Sequence, residues 1–151
     1  MDHSHIVTRF DKDLSEIESL LVEMADLVAK QISDSALALQ LGDNQLAKAV
    51  TKNDSKINRL EEKIDDKAIR LIALRQPMAE DLRSAITTLK VSNCLERMGD
   101  YAKTLSYRAR KVDDFSAMKS ILRSITETSE KIINMLNVVM EAYVNRDLNK
   151  A

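Results

Sequence analysis

The stretch Leu95-Glu96-Arg97-Met98-Gly99-Asp100 carries the two regularities that decide the fold. Apolar residues recur at steps of three and four, here Leu95 and Met98. A carboxylate pair, Glu96 and Asp100, stands four residues apart. On an α-helix that spacing stacks two side chains on one face, about one turn apart. Like charges placed so are mildly destabilising unless something positive lies between them. The pair Glu61 and Asp65, shadowed by Glu62 and Asp66, repeats the spacing in the preceding segment, and no other acidic residue is followed four later by another.

Composition agrees with helices. Of 151 residues 44% are hydrophobic and 31% charged, which suits a folded chain of one domain's size. Aromatic residues make up 3%, and two Gly and one Pro leave little turn chemistry for a β fold. A net charge of −1 gives no electrostatic footprint for nucleic acid. The single Cys94 cannot form an internal disulfide and is expected to be buried and inert in a reducing compartment. No basic region follows Met1, and no apolar run approaches the roughly 18 residues of a membrane span. A cytoplasmic location without membrane insertion is therefore expected.

Four helices follow from the periodicity. The first covers about residues 6–41, with Val7, Phe10, Leu14, Ile17, Leu21, Met24 and Val28 as its apolar seam. It ends at Gly42, suited to a left-handed residue, and Asp43 is a good N-cap for the next. The second, about residues 44–74, carries Leu46, Val50, Ile57, Leu60, Ile64, Ala68, Leu71 and Leu74, with Asn53 and Asp54 in the gap. Pro77 breaks it and suits the first turn of the third helix, where Glu80 and Asp81 meet the positive end. The third runs to about residue 112, first on Leu82, Ile86 and Leu89, then on Val91, Leu95, Met98, Ala102, Leu105, Ala109 and Val112. After a turn at Asp113-Asp114-Phe115-Ser116, a fourth covers about residues 117–144 on Ile121, Ile125, Thr128, Ile132, Met135, Val139 and Ala142. Short turns make neighbours antiparallel. The expected fold is all-α, an antiparallel three-helix bundle plus a fourth long helix.

An internal repeat accounts for that fourth helix. Leu41-Gly42-Asp43-Asn44-Gln45-Leu46-Ala47 is similar to Asn145-Arg146-Asp147-Leu148-Asn149-Lys150-Ala151. Residues 1–113 then form one three-helix repeat, and 114–151 hold the first helix of a second, incomplete one. The fourth seam lacks cover of its own, so a homodimer is expected in which it packs against another chain.

The acidic pairs lie on the shoulders of the apolar stripes: Glu61 follows Leu60, Asp65 follows Ile64 and Glu96 follows Leu95. Counted from the Gln76-Pro77 turn, Glu61 and Glu96 sit about 6 Å out of level. Oxygen-only donors of this kind suit hard cations, or iron and manganese. Glu61, Asp65, Glu96 and Asp100 are the candidate metal ligands, with Asp54, Glu62 and Asp66 as possible additions. The plain alternative is a solvated face neutralised by Lys63, Arg97 or Lys103. No Glu-x-x-His occurs, and His3 and His5 are too far away to help. Gly99 reads as a small residue at a close helix crossing. No phosphate-cradling Gly loop and no Ser/His/Asp or Cys/His set points to an enzyme.

The chain resembles the PhoU family of bacterial phosphate-signalling regulators. The resemblance lies in His5-Ile6, Phe10-Asp11-Lys12-Asp13-Leu14, Gly42-Asp43, Asn58-Arg59-Leu60-Glu61-Glu62-Lys63-Ile64-Asp65 and Leu74-Arg75-Gln76-Pro77. It is sharpest at Asp81-Leu82-Arg83 and Leu95-Glu96-Arg97-Met98-Gly99-Asp100. It implies two three-helix repeats whose E/D-x-x-x-D pairs hold metal, iron or manganese before magnesium or calcium. It further implies negative regulation of phosphate uptake and of the phosphate-starvation response. The implied partners are a phosphate ABC transporter ATPase (PstB-like) and a sensor histidine kinase (PhoR-like). The competing expectation is a helical interaction or metal-binding scaffold without the signalling role.

Overall fold

The computed structural model describes residues 3–112, 114, 116–147 and 149. Helix α1 spans His3–Leu41, α2 Asn44–Arg75, α3 Ala79–Ala109 and α4 Lys119–Asn145, with a 3-10 turn at Ser116–Met118 before the last. The described residues contain no strand. Helices α1, α2 and α3 each pack on the other two, and α4 packs on α1. The fold is all-α: an antiparallel three-helix bundle with a fourth long helix laid along it.

The first turn forms as its residues dictate. Gly42 takes φ 65°, and the Asp43 amide reaches back to the Ala38 carbonyl at 2.9 Å, which closes the last turn of α1. The Asp43 carboxylate then caps α2, accepting from the amides of Gln45 at 2.9 Å and Leu46 at 3.0 Å. The second turn departs in one detail. Gln76 is left-handed at φ 47°, ψ 53°, because the residue before a proline is disfavoured in the right-handed helical region. Pro77 therefore stands ahead of α3 instead of inside its first turn, which Glu80 and Asp81 do occupy. Of the third turn and the repeat match, Asp113, Phe115, Leu148, Lys150 and Ala151 lie outside the described residues, as does the side chain of Val7.

The seams of α1 and α2 are the core. Phe10, Leu14, Ile17, Leu21, Met24 and Val28 are buried in one cluster with Ile57, Leu60, Ile64, Ala68 and Leu71, and Val50 is buried as well. Leu74 is the exception: at the end of α2 no helix covers it and it is 75% exposed.

Helix α3 turns inward a line that shares Leu95, Ala102 and Ala109 with the expected one and otherwise runs through smaller residues. Ala85, Thr88, Ser92, Leu95, Gly99, Ala102, Ser106 and Ala109 are buried, whereas Leu89, Val91 and Met98 pack from the sides and Ile86 is exposed. A helix wedged against two others points its narrowest line at their junction. Small residues there permit a close approach, since interaxial distance follows the side chains at the contact. Cys94 lies beside that line and is exposed, contrary to expectation.

Helix α4 has two apolar faces. Leu122, Ser129, Leu136, Met140 and Ala142 are buried, with Leu122 set against Leu39 and Ala109. The Tyr143 hydroxyl lies 2.7 Å from Thr88 Oγ1. Most of the expected seam is instead the outer face, on which Ile121, Ile132, Met135 and Val139 are exposed, whereas Ala142 is buried and Ile125 packs beside Leu122. The expectation that α4 has no cover within its own chain is corrected accordingly: a second apolar line, one residue round the helix, holds it on α1.

The two faces are separable by neighbouring substitutions. Leu136→Ala should cost about 2–5 kcal/mol, and Met135→Ala, at a position 67% exposed, should stay within about 0.5 kcal/mol of wild type. Urea unfolding measures both. Equal losses would mean that the outer face is also packed in the free chain.

Candidate functional site

Helical spacing builds two facing polar stripes. On α2, Asp54, Asn58, Glu61 and Asp65 follow one another at steps of four, three and four; on α3, Asn93, Glu96, Asp100 and Lys103 at three, four and three. Each set occupies one face of its helix. Contacts between the helices fix their register. Lys103 Nζ donates to Asp54 Oδ2 at 2.6 Å. One turn along, a Cβ on Gly99 would lie 3.0 Å from Ile57 Cδ1, so the glycine accepts a fully buried side chain against the α3 backbone. One turn further, Glu61 comes level with Glu96 and shares a hydrogen bond with Asn93. The offset of about one turn expected between Glu61 and Glu96 is thereby removed. Gln76, Pro77 and Met78 carry the chain past the end of α2 before α3 starts back.

The inner end of this groove is neutralised from within. Asp54 is only 3% exposed. Its second oxygen accepts from Gln31 Nε2 at 3.2 Å, and the same amide donates to the Gly99 carbonyl at 3.1 Å. Lys103 also reaches Asp100 Oδ1 at 3.3 Å. Its pKa is raised, first by the hydrogen bond it donates to Asp54. Of the other bases considered, Arg97 donates to the Tyr101 hydroxyl at 3.4 Å.

The outer end is short of positive charge. Glu61 is held above the ordinary carboxylate range by burial, then by Asp65 and Glu62. Glu96 is raised by burial, then by Asp100 and Glu61, and Asp65 by burial, then by Asp66. Asn58 Oδ1 is buried without a hydrogen-bond partner. The donor chemistry therefore fits a hard cation: several carboxylates pushing one another up, with an uncharged oxygen left over. As the side chains stand, no three of the described His, Cys, Asp and Glu residues are grouped so as to hold an ion.

The structure thus brings Glu61, Glu96 and Asp100 together with Asp54, and places Asp65 one turn beyond. Glu62 and Asp66 lie outside the groove, in an open depression with Arg59, Lys63, Lys67 and Arg70. Sequence spacing missed Gln31. Its signal was present, since the α1 seam continued past Val28 by three and then four reaches Gln31 and Ser35, both buried. They are polar, so the apolar pattern stops short of them.

The PhoU domain matches residues 21–109, which include every residue of the groove. The chain belongs to the PhoU domain family. It is 37% identical over 147 residues to a phosphate-specific transport system accessory protein PhoU homolog of Caulobacter vibrioides, covering 97% of this chain and 64% of that relative. It is 34% identical over 150 residues to the PhoU accessory protein of Serratia marcescens, covering 99% and 61%. This PhoU-family chain spans just under two thirds of the length of these curated relatives. Its fold is similar to the crystal structure of PhoU from Pseudomonas aeruginosa, at a TM-score of 0.85 and 31% identity over 93% of this chain and 68% of that one.

The buried pair makes an asymmetric prediction. Lys103→Met leaves a buried carboxylate without its cation and should cost on the order of 3 kcal/mol. Asp54→Asn still accepts from Gln31 and releases Lys103, whose side chain is 39% exposed, to water; about 1 kcal/mol is expected. Denaturant titration of both variants checks this, and a larger loss for Asp54→Asn would contradict it.

Proposed function

We propose that this chain is a non-enzymatic regulator of phosphate homeostasis that works by contact with other proteins. The observation that carries the reading is the fold and sequence match to PhoU along nearly the whole chain, with relatives named as accessory proteins of phosphate-specific transport. The partners proposed are a phosphate ABC transporter ATPase (PstB-like) and a sensor histidine kinase (PhoR-like), and the effect on phosphate uptake and on the starvation response is negative. Both contacts are placed at the cytoplasmic face of the membrane. Among the described residues no helix is long and apolar enough to cross it, which fits docking on membrane proteins rather than insertion.

The groove between α2 and α3 is the proposed metal centre. Glu61, Asp65, Glu96 and Asp100 would hold a divalent or trivalent ion, iron or manganese before magnesium or calcium, and Asn58 Oδ1 offers a further oxygen. A bound ion would supply positive charge that joins α2 to α3. The support is the raised pKa of Glu61, Asp65 and Glu96, by burial first and then by neighbouring carboxylates, and the orphan amide oxygen.

The outer face of α4 is the proposed contact for a second copy of the chain, giving a homodimer. Residues 1–113 are read as one repeat and 114–151 as part of a second. The two apolar faces of α4 fit that division, since one face serves each unit.

Two experiments test this reading. Immobilised chain should retain a transporter ATPase and a kinase cytoplasmic domain, and retention of neither would leave only the scaffold reading. Light scattering behind size-exclusion chromatography should show a dimer that dissociates on dilution or on Met135→Glu. A strict monomer at high micromolar concentration would mean that α4 needs no second chain.

A further inference from the structure

We propose that the outer face of α2 docks on an anionic lipid bilayer and holds the chain at the membrane surface without insertion. The face carries a row of bases: Lys48, Lys52, Lys56, Arg59, Lys63, Lys67 and Arg70. Neither the proposed metal centre nor the proposed contact for a second copy occupies it.

The steps in the row are four, four, three, four, four and three. Their mean lies close to one helical turn, so the row keeps to an arc of about 100° and runs straight for roughly 33 Å. It takes all the bases of α2 except Arg75, which is turned to Asp13 on α1. Six of the seven side chains are exposed, and Lys67 is partly so. Among the described residues only Lys67 of the seven is ion-paired, to Glu16 at 3.0 Å. An ordinary solvated helix face sets opposite charges three or four apart, as Lys30 with Asp34 does on α1 and Arg123 with Glu127 on α4. The row instead sets bases four from bases, an arrangement that weakens a helix. Of the α2 carboxylates only Glu62 and Asp66 stand beside it, and Asp54 is turned inward to Lys103. Positive charge is therefore in excess along the row.

The end of the row selects the occupant. Four residues beyond Arg70 the same line reaches Leu74, which is 75% exposed, and Met78 in the following turn is 80% exposed. A simple polyanion offers these aliphatic side chains nothing. An anionic bilayer offers both layers: headgroup phosphates for the bases, and beneath them an apolar layer that Leu74 and Met78 can enter while the long basic side chains reach back to the headgroups. The chain's net charge of −1 does not oppose this, because a surface in salt solution responds to charges within a Debye length of about 8–10 Å. Asp54, Glu61 and Asp65 lie on the far side of α2, roughly a helix diameter of 10–12 Å away. Attachment of this kind needs no membrane-crossing helix, and none occurs among the described residues.

The test is flotation of the full chain with phosphatidylcholine vesicles, with and without phosphatidylglycerol. Wild type should float only with the anionic vesicles and be released by raised salt. Lys56→Glu with Lys63→Glu should weaken that binding more than tenfold, since each base near an anionic surface contributes roughly fivefold. Lys90→Glu with Lys119→Glu, at exposed positions on α3 and α4, changes the net charge equally and should stay within about twofold of wild type. Leu74→Ser with Met78→Ser should weaken binding several-fold. The row variant should melt no lower than wild type, because each new Glu stands between bases three or four residues away. If it does melt lower, Lys56→Gln with Lys63→Gln carries the comparison, with a loss still above about tenfold. Flotation with neither vesicle, equal flotation with both, equal losses in the two Glu double variants, or undiminished binding of the Leu74/Met78 variant overturns the proposal. Capture of wild type by immobilised polyglutamate without binding to anionic vesicles overturns it in favour of an acidic protein segment. The vesicles carry no protein, so failure here is distinct from failure of the contacts with a transporter ATPase or a kinase.

Discussion

A buried carboxylate sets the register of this bundle. Asp54 sits in the interior of α2, where an unpaired charge would cost several kcal/mol. Gln31 from α1 and Lys103 from α3 satisfy it. Sliding any one of the three helices by a turn would break at least one of these bonds and leave the carboxylate among the apolar neighbours Val50 and Ile57. Apolar burial supplies the drive to pack, as it does in any bundle, but it tolerates several alignments. The polar clasp does not. Gly99 acts at the same point, giving its carbonyl to Gln31 and its missing side chain to Ile57.

The same clasp orders the candidate site. Once Asp54 is opposite Lys103, helical geometry alone brings Glu61 level with Glu96 and leaves Asp100 between the two. The groove therefore passes from an inner end with its own cation to an outer end with none assigned by its hydrogen bonds. Helix α4 lies against α1 and leaves α2 untouched, so the groove and the outer apolar face of α4 are separate surfaces. The proposed metal centre and the proposed contact for a second copy would therefore not overlap.

How far the sequence could be read depended on side-chain size. In α1 as far as Val28, and along most of α2, the seam residues are mainly Leu, Ile, Val, Met and Phe, and period and burial coincide. In α3 the buried line holds, apart from Leu95, only Ala, Ser, Thr and Gly, and the eye follows the larger residues beside it. In α4 two apolar lines run one residue apart, and spacing cannot say which is inner. The acidic pairs were legible because their spacing is local to one helix. Their mutual level was not, because it depends on how Gln76, Pro77 and Met78 carry the chain between helices. Three bases were in view as counter-charges, and only the tertiary register selects Lys103.

The mode of attachment of α4 gives the molecule a graded response to thermal agitation. The first three helices share contacts in a closed triangle, so opening one disturbs two others. Helix α4 is fastened mainly to α1, by one of its two faces and by the Tyr143–Thr88 contact at its far end. Detaching it leaves the triangle intact. Its amides should exchange with solvent through a partial opening, at lower free energy than those of α1 to α3, which require global unfolding. The last helix is then a hinged leaf on a closed core, and each opening uncovers Leu39 and its neighbours on the α1 surface.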